Sequence, residues 1–240
     1  VIYFISYSFI LFCDNCYLRL LYLLLIVGIQ GHGMILDPIG RSSRWRTNSS
    51  APTNYDDNQN FCGGFGVQWD RYSGSCGVCG DNFGDPEPRA NELGGKYGEG
   101  VIVKAYKKVI KTDVNFRITA NHLGYVYFNL CNLDEFGKET EECFTKNRLR
   151  LADGSDKLHV GRKIGSFTTT ITFPENLSCN HCVLRWNYKA GNNWGICKSG
   201  VGANGCGPQE NFKSCADISI NAVNNVRFGD DDVVEVPIEI

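Results

Sequence analysis

Cysteine placement constrains this chain more than any other feature. Two of its twelve cysteines, Cys13 and Cys16, lie in an apolar opening segment. The other ten are Cys62, Cys76, Cys79, Cys131, Cys143, Cys179, Cys182, Cys197, Cys206 and Cys215. An even number in an exported chain implies up to five disulfides, with a pairing that spacing alone does not fix. Such a chain is expected to be extracellular and rigid. In a reducing compartment, Cys76-x-x-Cys79 and Cys179-x-x-Cys182 would instead suggest zinc knuckles or a redox pair.

Export is indicated by the opening itself. The apolar run Leu20 to Ile29 is too short for a membrane span and reads as the core of a secretory signal. The segment is atypical, starting at Val1 and carrying Arg19 as its one positive charge. Ile29-Gln30-Gly31 offers a small residue for cleavage, which makes residues 1–31 a removable signal peptide and His32 the first residue of the secreted chain. Removing 31 of 240 residues leaves 209, enough for one domain. The expected divisions are a domain over 32–222 and an acidic tail or linker over 223–240, containing Asp230-Asp231-Asp232. Cleavage removes Asp14 and Arg19 together, so the formal net charge stays at −2. That balance does not indicate a basic surface for nucleic acid or anionic membranes, so no nucleic-acid partner is expected, and no membrane span is expected in the mature form. Asn48-Ser49-Ser50 and Asn176-Leu177-Ser178 are glycosylation sequons, a short pattern that often arises by chance.

From His32 to about Gly100 the sequence is rich in Gly, Asn, Asp and Ser and reads as long loops pinned by disulfides. Alternation follows. Val114, Phe116, Ile118 and Ala120 are apolar, while Asn115, Arg117 and Thr119 between them are polar, the period of a half-buried strand. Val101–Tyr106, Tyr125–Leu130, Phe167–Phe173, Cys182–Tyr188 and Cys215–Ile220 read the same way. Short strands between Gly- and Asn-rich turns, with hardly a helical pattern, favour an all-β, immunoglobulin- or fibronectin-like antiparallel β-sandwich.

Only four histidines are present: His32, His122, His159 and His181. A free amino-terminal histidine offers its α-amino group and an imidazole nitrogen to one metal ion, and a second imidazole completes three nitrogens. Such nitrogen-rich sites select copper over calcium or magnesium. The α-amino group has a pKa of about 7.7, low enough to lose its proton to a metal. His122 continues the parity of the Val114–Ala120 strand and leaves it two residues beyond the small Ala120; a satisfied core histidine is the alternative there. His181 lies between Cys179 and Cys182 on the parity opposite to Leu184, Trp186 and Tyr188, so it is expected to face solvent. His159 sits in the charged stretch Asp153–Lys163 and reads as a loop histidine.

The opening His32-Gly33-Met34 with Pro38 and Arg41–Arg46, Cys76-Gly77-Val78-Cys79-Gly80-Asp81, Gly94-Gly95-Lys96-Tyr97-Gly98 and Thr119-Ala120-Asn121-His122 occur in that order. They are followed by Asn192-Asn193-Trp194-Gly195 and by Gly207-Pro208-Gln209-Glu210 leading into Phe212 and Cys215-Ala216-Asp217-Ile218. Over most of the mature chain this series resembles the lytic polysaccharide monooxygenases, and most of all auxiliary activity family fifteen. The resemblance implies that His32 and His122 brace one copper ion. It implies that Phe212, five residues before Asp217, stands over the axial face of the copper where family members place Tyr or Phe; an ordinary core phenylalanine is the alternative. Glu210 or Gln209 can supply a polar group behind the metal, or else form a turn after Pro208.

The implied reaction is oxidation at a glycosidic carbon of a crystalline polysaccharide, chitin or cellulose. Cu(II) is reduced by a small-molecule or protein electron donor, and Cu(I) then reacts with hydrogen peroxide or dioxygen. A secreted monomer working on an insoluble surface is expected, with Tyr55, Tyr97 and Trp194, and also Trp45, as candidates for stacking on sugars. Two rivals have the same shape: a carbohydrate-binding module without redox activity, and a copper-binding protein that leaves sugars intact.

Overall fold

A computed structural model describes residues 32–107 and 110–221; the expected signal segment 1–31 and the tail from 222 onward lie outside the described residues. The strands are β1 (His32–Asp37), β2 (Lys104–Lys107), β3 (Lys111–Ala120), β4 (Tyr125–Asn132), β5 (Asn147–Arg148), β6 (Arg150–Leu151), β7 (Leu158–His159), β8 (Gly165–Thr172), β9 (Cys179–Lys189), β10 (Trp194–Ile196), β11 (Gly202–Asn204) and β12 (Asn211–Asn221). One sheet runs β1-β3-β8-β6, and the facing one runs β2-β12-β9-β4-β5, with β7 also on β4. The strands form a β-sandwich. Every pairing is antiparallel except β2 with β12, which is parallel. Among the described residues, no helix is long and apolar enough to cross a membrane.

Alternation explains the core. Val114, Phe116 and Ile118 of β3 meet Phe128, Leu184, Trp186 and Tyr188 from the facing sheet, all buried between the layers. Burying each large apolar side chain contributes about 1.5–3 kcal/mol. The six-stranded sheet is buried on its outer face as well, where Val183 and Cys215 pack with Cys79, Cys131, Cys143 and Phe144. That second cluster sits under two short helices, α1 (Leu133–Phe136) and α2 (Glu141–Lys146). The Asn132 and Thr140 side chains accept the first free amides of α1 and α2, the usual helix-start device. A span of six residues or fewer carries almost no periodic signal, so the sequence offers little sign of either helix.

The stretch from His32 to Gly100 is not all loop. Its first six residues form β1, hydrogen-bonded along β3. Met34-Ile35-Leu36 hides the alternation because β1 carries register shifts at both ends. Beyond it, only a 3-10 turn at Arg41–Arg46 and a π turn at Gly66–Arg71 interrupt the loops. Disulfides hold this region: Cys62–Cys76 locally, and Cys79–Cys215, which ties it to β12 across 136 residues. Closing a loop of that length removes about 5 kcal/mol of unfolded-chain entropy. The other bridges are Cys131–Cys143, Cys179–Cys182 and Cys197–Cys206. All ten cysteines are therefore paired.

Candidate metal centre

The β1–β3 register sets His32 opposite Ala120, so the strand pairing brings His32 to within two residues of His122. Gly33 permits this approach. A Cβ there would lie 2.8 Å from the Trp186 ring and 3.0 Å from the Arg117 carbonyl, inside the core packing. The Gly33 amide donates to the Asn58 carbonyl at 3.0 Å, and the Asn58 side-chain amide donates to Thr119 Oγ1 at 2.8 Å. The loop carrying Tyr55 and Asp56 is thereby pinned beside His32.

His122 lies in the turn after β3, where Leu123 and Gly124 take positive φ (58° and 81°) to reverse the chain into β4. Its main chain is fixed from two sides. The His122 amide donates to Tyr188 Oη at 2.8 Å, and its carbonyl accepts from the Gly191 amide at 2.8 Å. The ring is fixed by Glu210, whose Oε2 lies 2.9 Å from Nδ1. A carboxylate only accepts, so Nδ1 carries the proton and the lone pair is left on Nε2. His122 is buried, as is Glu210. Burial raises the Tyr188 phenol to about 12, so its hydroxyl stays protonated.

The His32 ring stands edge-on to Phe212, with centroids 6.5 Å apart at 74°. Burial lowers its affinity for a proton; Glu210 opposes this, His122 adds to it, and Asp56 opposes it more weakly. The net shift favours neutral imidazole, the form that binds metals. Its Nε2 is buried and has no hydrogen-bond partner among the described residues. Phe212 is fully buried, stacked near Tyr188 (5.5 Å) and Phe61 (6.4 Å). It belongs to the core, and the same ring also meets the edge of the His32 imidazole.

Gln209 and Glu210 part company. The Gln209 side chain donates to the Asn193 and Cys206 carbonyls and accepts from the Asn193 amide, stapling a loop. Glu210 alone turns to His122. A cleft beside His122 and Glu210 is walled by Gly63–Val67 and by Asn192, Asn193 and Trp194. Trp194, which lines that cleft, is 66% exposed, and Tyr55, in the loop pinned beside His32, is 81% exposed and edge-on to Trp45. Trp45 is half-buried under Tyr55 as a loop staple. Tyr97 is elsewhere: its amide bonds the Ala90 carbonyl in the loop whose Asn91 carbonyl accepts from Arg41, near Asp217 and five residues along β12 from Phe212.

The expectation that His181 faces solvent is corrected. Its Nε2 meets Asp217 Oδ1 at 2.7 Å, inside an ion network where Arg41 also bonds Asp217 and Glu139. Loops over the outer sheet face cover most of what strand parity alone would expose, leaving His181 half-buried. His159 is exposed in the two-residue strand β7 rather than in a loop, beside the Tyr125 ring. Sequence reasoning missed Tyr188 as a clamp on His122, because its parity marked it as core and its hydroxyl gave no separate signal. Among the described residues, no group of three or more His, Cys, Asp or Glu side chains is placed to hold a metal.

Residues 32–218 match the protein family described as lytic polysaccharide mono-oxygenase, cellulose-degrading. A solved lytic polysaccharide monooxygenase of family AA15 from Thermobia domestica, in the Cu(I) state, is 40% identical, with a TM-score of 0.75 over 79% of this chain and 98% of that one. An AA10 lytic polysaccharide monooxygenase from Streptomyces lividans is 14% identical, with a TM-score of 0.48 over 78% of this chain and 99% of that one. No curated protein matches.

Proposed function

Because this chain belongs to the lytic polysaccharide monooxygenase family, and so is a copper-dependent oxidoreductase, we propose that His32 and His122 hold one copper ion with which it cleaves crystalline chitin or cellulose outside the cell. The observation that carries this reading is the Glu210–His122 bond, which leaves a lone pair on Nε2 of a rigid imidazole next to a second, neutral imidazole. On His32, only Nδ1 can close a chelate ring with the residue's own α-amino group, which is free once the chain is cut before His32. Two imidazoles and an amine suit copper, and no rival carboxylate or thiolate cluster among the described residues favours another ion.

Bound copper would supply one-electron chemistry, reduced by an external donor and reoxidised by hydrogen peroxide or dioxygen, to hydroxylate a glycosidic carbon. The chain's own residues have separate tasks. Glu210 keeps the His122 proton on Nδ1. Tyr188 Oη and the Gly191 amide hold the His122 main chain, and Phe212 fills the space beside His32 with a ring that brings no ligating oxygen. Tyr55 and Trp194, both exposed, offer flat apolar faces to sugar rings.

The test is incubation of the secreted protein with chitin and with cellulose plus a reductant, followed by mass spectrometry of the soluble products. Oxidised oligosaccharides are expected from at least one polymer. Polymer binding without oxidised products would reduce the protein to a carbohydrate-binding module, and copper binding without either would make it a copper carrier.

A further inference from the structure

The outer face of the six-stranded sheet carries a second cavity, of ≈ 420 Å³, on the side opposite Phe212 and the histidines. Lys213 of β12 and Tyr127 of β4 line it from the two sides of one rung, each paired with Asn187 of β9 between them. On flanking rungs, Lys189 lies between Asn211 and Tyr125, and Arg185 between Cys215 and Asn129. Loop residues Gln68, Trp69 and Ser75 close it from one side, and Arg148 and Glu141 from the other.

The charge in this cavity is not balanced. Lys213 and Arg185 are 9% and 2% exposed and share one carboxylate, Glu141, which takes Lys213 Nζ at 2.6 Å and the Arg185 guanidinium at 2.9 and 3.0 Å; their other partners are neutral, the Gly77 carbonyl at 3.4 Å for Lys213 and the Val78 carbonyl at 3.1 Å and the Phe144 ring for Arg185. One carboxylate thus serves two buried cations. Arg185 Nε is buried with no protein acceptor. Lys189 and Arg148 add positive charge at the edge, the latter also meeting Asp156 at 3.5 Å outside the cavity. Burial, reinforced by Arg185, pulls the Lys213 ammonium down to about 8 despite Glu141, with Glu92 a weaker opposing charge. Buried cations lacking full compensation are costly, and an entering anion would supply the missing charge and hydrogen bonds.

Charge alone would suit any small anion, but the rest of the lining narrows the class. Ser75 is a neutral group that matches a hydroxyl, Gln68 and Asn211 bond each other at the cavity's edge, and Trp69 and Tyr125 present ring surface, while the Tyr127 ring carries the Arg148 guanidinium 3.9 Å above it. The volume lies within the range of small-molecule sites. We infer that this cavity is a second carbohydrate site that takes a sugar acid, its carboxylate held by Lys213, Arg185 and Arg148 and its ring set against the aromatic wall. It does not depend on the copper centre.

The test is calorimetric titration of the whole secreted protein at low salt with D-glucuronate, glucose and benzoate. Glucuronate should bind, glucose should bind at least about tenfold more weakly, and benzoate should not surpass glucuronate. Lys213→Met should weaken glucuronate binding by about tenfold or more, and so should the pair Arg148→Gln and Lys189→Gln, whose edge positions do not threaten folding. His122→Ala should leave it unchanged. No heat with glucuronate up to ~10 mM, equal binding of glucose, tighter binding of benzoate, or unaltered binding by the edge variants would each overturn the assignment.

Discussion

Replacing Glu210 with Ala removes the one acceptor that faces His122 Nδ1 at 2.9 Å. Two effects follow, and they can be measured apart. The buried Nδ1–H loses its partner, which costs about 1–3 kcal/mol of stability. In a domain of this size each kcal/mol moves the melting temperature by roughly 2–4 °C. The second effect is on metal binding, because the proton is then free to move to Nε2 and occupy the lone pair meant for copper. Loss of such a partner behind a ligand typically weakens metal affinity by about 10–100-fold, or about 1.4–2.7 kcal/mol. Glu210→Gln keeps an oxygen acceptor in place and should lose much less. Copper titration against a competing chelator, with apo-protein melting alongside, reads both quantities. A Glu210→Ala protein that melts lower yet binds copper like the parent would refute the argument that Glu210 sets the His122 proton.

Three further outcomes are expected. His122→Ala should weaken copper binding by more than about tenfold while His181→Ala leaves it unchanged, since His181 is committed to Asp217; competitive titration of the two variants checks this, and reversed results would move the second ligand. Phe212→Tyr puts a hydroxyl among Tyr188, Phe61 and His32; the electron paramagnetic resonance spectrum of Cu(II) should shift, whereas an unshifted spectrum with stability lowered by about 1–3 kcal/mol would make Phe212 a core residue only. Burial raises the Asp217 carboxyl, but its bonds to Arg41 and His181 outweigh this and hold it below its usual value. A depressed acid stabilises the fold above its unfolded pKa of about 4, and that contribution is lost as pH falls through the lower folded value. Asp217→Asn, which leaves buried Arg41 with Glu139 as its remaining carboxylate, should cost about 3 kcal/mol near neutrality and less below about pH 4 in thermal melts.

Residues 114–120 alternate so regularly that β3 was legible from sequence, as were the interiors of β4, β9 and β12. The same parity rule failed at His181, because it assumes one bare sheet face and here loops and α2 cover both. Cysteine spacing was silent on pairing: Cys179-x-x-Cys182 closes on itself, while Cys76-x-x-Cys79 sends its members to Cys62 and Cys215. At the centre, sequence brought forward His32, His122 and Glu210, but left open whether Glu210 and its neighbour Gln209 serve the metal or only form a turn. Adjacent residues entering a strand point to opposite sides, and the register of β12 decides which of them meets His122. Tyr97 was grouped with Tyr55 and Trp194 on residue type alone, and its amide ties it to the loop bonded through Arg41 to Asp217, five residues along β12 from Phe212.

The central claim is that one copper ion sits between His32 and His122 with the His32 α-amino group as a ligand. It is tested most directly by comparing the chain that begins at His32 with one carrying a single extra glycine before it. The extension leaves both imidazoles and the fold intact and moves only the amine. Copper affinity should fall by at least about tenfold, ~1.4 kcal/mol, and the Cu(II) resonance spectrum should change. Equal affinity and an identical spectrum for the two forms would contradict the account.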